Sequence, residues 1–125
     1  MAGDSAIRSF KDLEVGQRAM QLAEDCYRAT CDFPREEIYG TTAQVRRSAA
    51  SIPANLAEGY GRDQTGAFIQ FLRVAQGWTR ELETRLILSR GIGRLPADAE
   101  LGLLDRCEAI SNRLRSLIRS REGGA

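Results

Sequence analysis

From Thr42 to Leu56 the residues able to face a core fall three and four apart: Thr42, Val45, Ala49, Ile52 and Leu56. That alternation marks one face of a helix packed in a bundle. The stripe passes through Pro53 without losing phase, and Tyr60 continues it. A boundary at the proline would reset the phase, so "RRSAASIPANLAEGYGR" predicts a single helix kinked at Pro53. Proline has no N–H for the Ala49 carbonyl, and its ring crowds that carbonyl. The cost is about 3 kcal/mol in a helix interior, which burial of the flanking stripe must offset. Gly59 and Gly61 end the segment.

Three more segments carry helical spacing, and none reads as a strand. The first holds Leu13, Met20, Ala23 and Tyr27, and closes at "CDFPREEIYG". The third holds Phe68, Leu72, Ala75, Thr79, Leu82, Leu86 and Ser89; the last holds Leu103, Cys107, Ile110, Leu114 and Leu117. Thr41 with Gln44 forms a capping-box pattern, and Asp63 or Thr65 is the expected cap of the third helix. The expectation is one domain over residues 1–125, with helices at about 10–30, 41–60, 65–90 and 97–120. Short connections make it an all-α, antiparallel up-down-up-down four-helix bundle, with "REGGA" as a frayed tail. Leu22, Phe71, Val74, Trp78, Leu88 and Ile118 lie off these seams, which points to cover by another subunit.

Composition then narrows the function. The chain has 125 residues, enough to bury a core without staples, and a formal charge of only +1 from 18 basic and 17 acidic residues. An aromatic share of 6% leaves little for base-stacking platforms. Three cysteines, Cys26, Cys31 and Cys107, form no metal-binding pair and read as small buried hydrophobes in a reducing cytosol. "MAGDSAIRSF" has no secretory pattern, and no apolar run reaches the roughly 20 residues of a membrane span. The expected location is the cytoplasm.

There is no histidine. Its absence removes the usual general base, the Ser-His-Asp and Cys-His arrangements, and the commonest metal ligand. "GYGRDQTG" lacks the preceding strand of a dinucleotide cradle and reads as one helix end followed by the next start. Glu14 with Arg18, Glu24 with Arg28, Glu58 with Arg62 and Glu81 with Arg85 are i,i+4 surface pairs. No metal, cofactor or catalytic set is expected. The functional candidates are arginines, which suit forked contacts to phosphate: Arg46, Arg47 and Arg62 around the kinked helix, and Arg113, Arg115 and Arg119 near the C-terminus.

"YGTTAQVRRSAASIPANLAEGYGR" closely resembles the hallmark of the 23S rRNA intervening-sequence protein family. "FKDLEVGQRAMQLAEDCYRAT", "FPREE" and "FLRVAQGWTRELETRLILSRGIGRL" agree in order, so the likeness runs from Phe10 to Ile118. Arg46, Arg47, Pro53, Asn55, Glu58, Gly59 and Arg62 match that hallmark. Gly16 stands where a bulky residue is usual and Trp78 where a serine is usual, an exchange of volume or an altered subunit contact. The resemblance implies a bacterial protein and a bundle that assembles as a homopentamer. It is also similar to retroelement accessory proteins that bind nucleic acid and a reverse transcriptase, which makes RNA or a ribonucleoprotein the first partner to test. The expected function is therefore a non-enzymatic, homo-oligomeric helical scaffold for a macromolecular partner. The alternatives are a protein-only interaction module, in which the same arginines form intersubunit salt bridges, and an enzyme using carboxylates such as Glu58 between subunits.

Overall fold

The computed structural model describes residues 10–123. Residues 1–9, on which the leader reading largely rests, lie outside the described residues, as do Gly124 and Ala125 of the tail. Four helices, α1 (Phe10–Thr30), α2 (Thr41–Tyr60), α3 (Thr65–Gly91) and α4 (Ala97–Gly123), are joined by short connections, one carrying a 3₁₀ turn at Arg35–Glu37. Each helix packs on its sequence neighbour and α1 closes the ring against α4. The result is an all-α antiparallel up-down-up-down bundle, with no strand among the described residues. At 1.5 Å per residue α3 and α4 are each roughly 40 Å long. No described helix is long and apolar enough to cross a membrane.

The helix α2 runs unbroken through Pro53. Ala49, Ile52 and Leu56 are fully buried beside it, at roughly 1.5–3 kcal/mol for each large side chain, which is enough to hold the proline in place. Side chains bond the backbone on both sides of the ring. The Ser51 hydroxyl donates to the Arg47 carbonyl at 2.7 Å, and the Asn55 amide donates to the Ser51 carbonyl at 2.8 Å. Both are i to i−4 back-bonds to carbonyls that already belong to the helical ladder, and neither reaches the Ala49 carbonyl that Pro53 deprives of its donor.

The expected stripes are buried from Thr42 to Leu56 on α2 and from Phe68 to Ser89 on α3, while Tyr60, the continuation of the α2 stripe, is partly buried. On α1 the face differs. Val15, Ala19, Leu22, Ala23 and Cys26 enter the core, whereas Leu13, Met20 and Tyr27 stay exposed, Met20 at 52%. Both sets have helical spacing and share Ala23, which is buried as expected; the face that wins joins the large Val15 and Leu22 to the small Ala19 and Cys26. On α4 Ile118 enters the core while Leu117 is only partly covered. Leu22 and Ile118 are thus core residues and do not await a subunit. The last helix also continues to Gly123, so residues 121–123 of the tail are helical.

Two helix starts are placed by other groups than their expected caps. Thr41 is the first helical residue of α2, and no side chain bonds at Gly40 before it. Instead the Glu37 carboxylate, held below its ordinary range by Arg94 and then by Thr41, faces that helix start, and Arg94 Nε donates to it at 2.9 Å. Helix α3 begins after an extended Gln64, again with no side-chain cap. Two glycines are fixed by space and conformation. A Cβ at Gly59 would meet Phe71 Cβ at 3.0 Å, so this glycine lets α2 and α3 approach closely; Gly93 has φ +80° and turns the chain out of α3.

Candidate functional site

Helix α2 presents three differently used sides, and the hallmark residues are divided among them. Adjacent Arg46 and Arg47 diverge because successive helical residues are about 100° apart. Arg46 reaches the end of α1: its Nε donates to Thr30 Oγ1 at 2.8 Å, one Nη donates to the Tyr27 carbonyl at 3.3 Å, and its guanidinium lies 4.9 Å from the Tyr27 ring centre. A cation among the last carbonyls of a helix complements the negative end of its dipole. Arg46 is therefore engaged in joining α1 to α2. Arg47 is exposed on the opposite side, 5.5 Å from the Trp78 ring centre. Arg62 pairs with Glu58 at 2.9 Å and covers the Phe71 ring at 4.9 Å.

The six arginines do not form one patch. Arg46 and Arg62 are sixteen residues apart, roughly 24 Å along the helix. Arg113 pairs with Glu14 of α1. Arg115 points the other way, into the groove between α3 and α4, where it bonds Asn112 at 3.0 Å. Arg115 and Arg119, one turn apart, share a stripe; Arg119 is exposed and makes no ion pair among the described residues. Gly16 lies against Tyr60, and Trp78 lies under Arg47, so the two unusual positions have different neighbours.

The third side of α2 faces outward beside α1. Ala50, Pro53, Ala54 and Ala57 form the α2 wall of a groove of about 550 Å³, and Met20, Ala23 and Tyr27 form most of the other wall. Pro53 itself lines the groove, with its ring set among alanines. Of the lining residues only Glu24 and Arg28, both on α1, carry charge. The spacing Ala50, Pro53, Ala54, Ala57 is itself a helical stripe, i, i+3, i+4, i+7, legible in the sequence yet overlooked because alanine carries so little hydrophobic signal.

Electrostatics elsewhere follow from pairing and burial. Asp25 is held below the usual carboxylate range, chiefly by a hydrogen bond from Arg106 of α4, with Arg28 assisting at 2.7 Å. The expected partner of Arg28 was Glu24; Asp25, one residue nearer, takes it. Glu14–Arg18 (3.5 Å) and Glu81–Arg85 (2.9 Å) form as expected. Burial pushes the thiols of Cys26 and Cys107 up to about 12, while Cys31 is exposed on the connection after α1. Glu58 is exposed and occupied by Arg62. No cluster of three or more potential metal-ligating Cys, Asp or Glu side chains occurs among the described residues.

A family model described as 23S rRNA-intervening sequence protein matches residues 11–116. The chain belongs to this family. The matched segment takes in all of α2 and α3 and reaches Arg115, leaving Arg119 outside. A crystal structure of a protein of unknown function from the S23 ribosomal protein family of Bacteroides thetaiotaomicron is similar, with a TM-score of 0.79 over 88% of this chain and 99% of that one. At 23% identity the likeness shows the shared bundle alone. No curated protein matches the sequence.

Proposed function

We propose that this family member is a non-enzymatic scaffold that assembles with copies of itself through the outer face of α1 and α2. The observation that carries the reading is the groove around Pro53. A finished monomer surface has few contiguous apolar patches. Here Met20 at 52% and Tyr27 at 44% exposure border a wall of three alanines and a proline. Small residues on a helix let a second helix approach closely, and the large flexible Met20 and aromatic Tyr27 supply area to bury. A copy of the same chain is the partner always available at matching concentration, and the further exposed apolar residues around the connection from α3 to α4, Ile87, Ile92 and Leu101, offer a second surface for a head-to-tail assembly. A pentamer, implied by the family resemblance, is the assembly we expect.

The test is the solution mass of the wild type and of Ala54→Arg by light scattering across a concentration series. A multimer for the wild type and a folded monomer for the variant support the reading; identical masses contradict it. A second reading, RNA as the scaffold's cargo, is favoured by the exposure of Arg47 and Arg119, neither of which is held by a carboxylate among the described residues. Anisotropy of a structured RNA over a salt series tests it. Arg47→Ala with Arg119→Ala is expected to flatten the salt slope, whereas Arg46→Ala, engaged at the end of α1, is expected to leave the slope unchanged.

A further inference from the structure

The groove between α3 and α4 holds charged side chains that make no ion pair among the described residues, although Arg115 bonds the Asn112 side chain at 3.0 Å. Above and below it the two helices are tied by ion pairs, Arg90 with Glu100 at one end and Arg73 with Glu122 at the other. Between these ties lies a cavity of about 290 Å³ lined only by polar side chains, among them Arg80 and Glu83 of α3 and Glu108, Ser111, Asn112 and Arg115 of α4. None of the four charged residues makes an ion pair among the described residues. The antiparallel register set by the two ties brings Arg80 level with Arg115 and Glu83 level with Glu108. The cavity is therefore bipolar, with two guanidiniums at one end, two carboxylates at the other, and neutral donors and acceptors from Ser111 and Asn112 between. Arg80, Glu108 and Arg115 are exposed and Glu83 is half-buried, so the groove opens to solvent along its length.

We propose that this cavity binds a small zwitterion, its acid group held between Arg80 and Arg115 and its ammonium group between Glu83 and Glu108. Guanidiniums fork onto a carboxylate, and two carboxylates accept the three N–H bonds of an ammonium group. The charged ends are three residues apart on α3 and seven apart on α4, a separation of roughly 5–10 Å at 1.5 Å per residue. That length suits an ω-amino acid or a comparable chain with charge at both ends. The volume lies near the lower end of ligand-sized clefts. The site lies within one chain and does not depend on self-assembly.

The experiment is an NMR titration of the full chain with 6-aminohexanoate, run beside hexanoate, hexylamine and inorganic phosphate, with circular dichroism on every variant. The zwitterion is expected to shift the Asn112 side-chain amide and the Arg80 and Arg115 Nε–H signals, saturably, and to bind at least about tenfold more tightly than either single-charge analogue. Arg115→Gln and Glu108→Gln are each expected to weaken it about tenfold or more, while Arg119→Gln, one turn further along the same stripe, leaves it unchanged. Hexanoate or phosphate binding as well as the zwitterion would overturn the proposal in favour of a plain anion site. So would equal binding by the Glu108→Gln variant, or equal loss in Arg119→Gln, which would mean a diffuse field with no bipolar pocket.

Discussion

Helix α1 has two flanks, and they are built on opposite plans. Toward α4 it is laced by ion pairs that cross between the helices: Asp12 with Arg121, Glu14 with Arg113 and Asp25 with Arg106. Toward α2 no ion pair crosses among the described residues. The polar links there, Arg46 to Thr30 and Tyr60 to the Asp12 carbonyl, sit at the two ends and leave an apolar groove between. A flank that satisfies its own charges is complete in the monomer. The other leaves methionine, tyrosine, proline and alanine partly in water, and this difference is why we propose self-assembly beside Pro53.

The largest effect expected from breaking the laced flank is at its buried end. Asp12 is 0% exposed and pairs with the largely buried Arg121, which also covers the Phe68 ring at 5.2 Å. Removing one member of a buried pair strands the other charge, so Asp12→Ala is expected to lose about 3–5 kcal/mol in chemical denaturation. A loss under about 1 kcal/mol would mean that the pair behaves as an exposed one.

Alkaline pH probes the core under the same flank. Cys26 and Cys107 sit in the core beneath this same flank, with folded thiols pushed up from 9.0 to about 12. The unfolded chain releases these protons first, so stability is full below about pH 9 and falls as pH rises toward 12, by about 1.4 kcal/mol per pH unit for each thiol. Cys26→Ala with Cys107→Ala removes that part of the slope even though it leaves a cavity; an unchanged slope would assign it to Tyr60, which burial also pushes up to about 12.

Smaller still is the exposed part of the lacing. Asp25→Asn is expected to cost about 1 kcal/mol or less. Because Arg106 holds the Asp25 carboxyl low, this stability is present above the ordinary carboxylate range and disappears as the pH falls through the folded value. Thermal melts of wild type and variant that converge toward pH 3 would bear this out. Smallest of all on stability is the groove: Ala54→Arg, exposed on the outer side of α2, is expected to move the monomer's stability by no more than about 0.5 kcal/mol while changing assembly.

The same contrast explains what could be read in the chain before its structure. The three-four stripes of α2 and α3 named their core residues because large apolar side chains there coincide with the buried face. On α1 large residues fall on both faces: Val15 and Leu22 enter the core with small residues and Asp12, whereas Met20 and Tyr27 face the groove, so a stripe through Leu13, Met20 and Tyr27 chose the wrong face. The unbroken phase through Pro53 predicted one helix. The groove wall of Ala50, Pro53, Ala54 and Ala57 was present in the spacing too, but alanines carry too little hydrophobic signal to mark it. Arg46 and Arg47 looked like a pair because they adjoin in sequence, yet a 100° step sends one to α1 and the other toward α3. Arg80 escaped notice because its relation to Arg115 exists only once α3 and α4 are in register.

One measurement bears most directly on the proposed self-assembly face. Met20 projects from α1 into the groove at 52% exposure, where peroxide converts an accessible thioether to the sulfoxide. Its oxidation rate, followed by mass spectrometry at a concentration that favours assembly, compares the wild type with Ala54→Arg. Slow oxidation in the wild type and fast oxidation in the variant are the predicted result. Equal and fast oxidation in both would mean that the face beside Pro53 stays open to water, and would contradict the account.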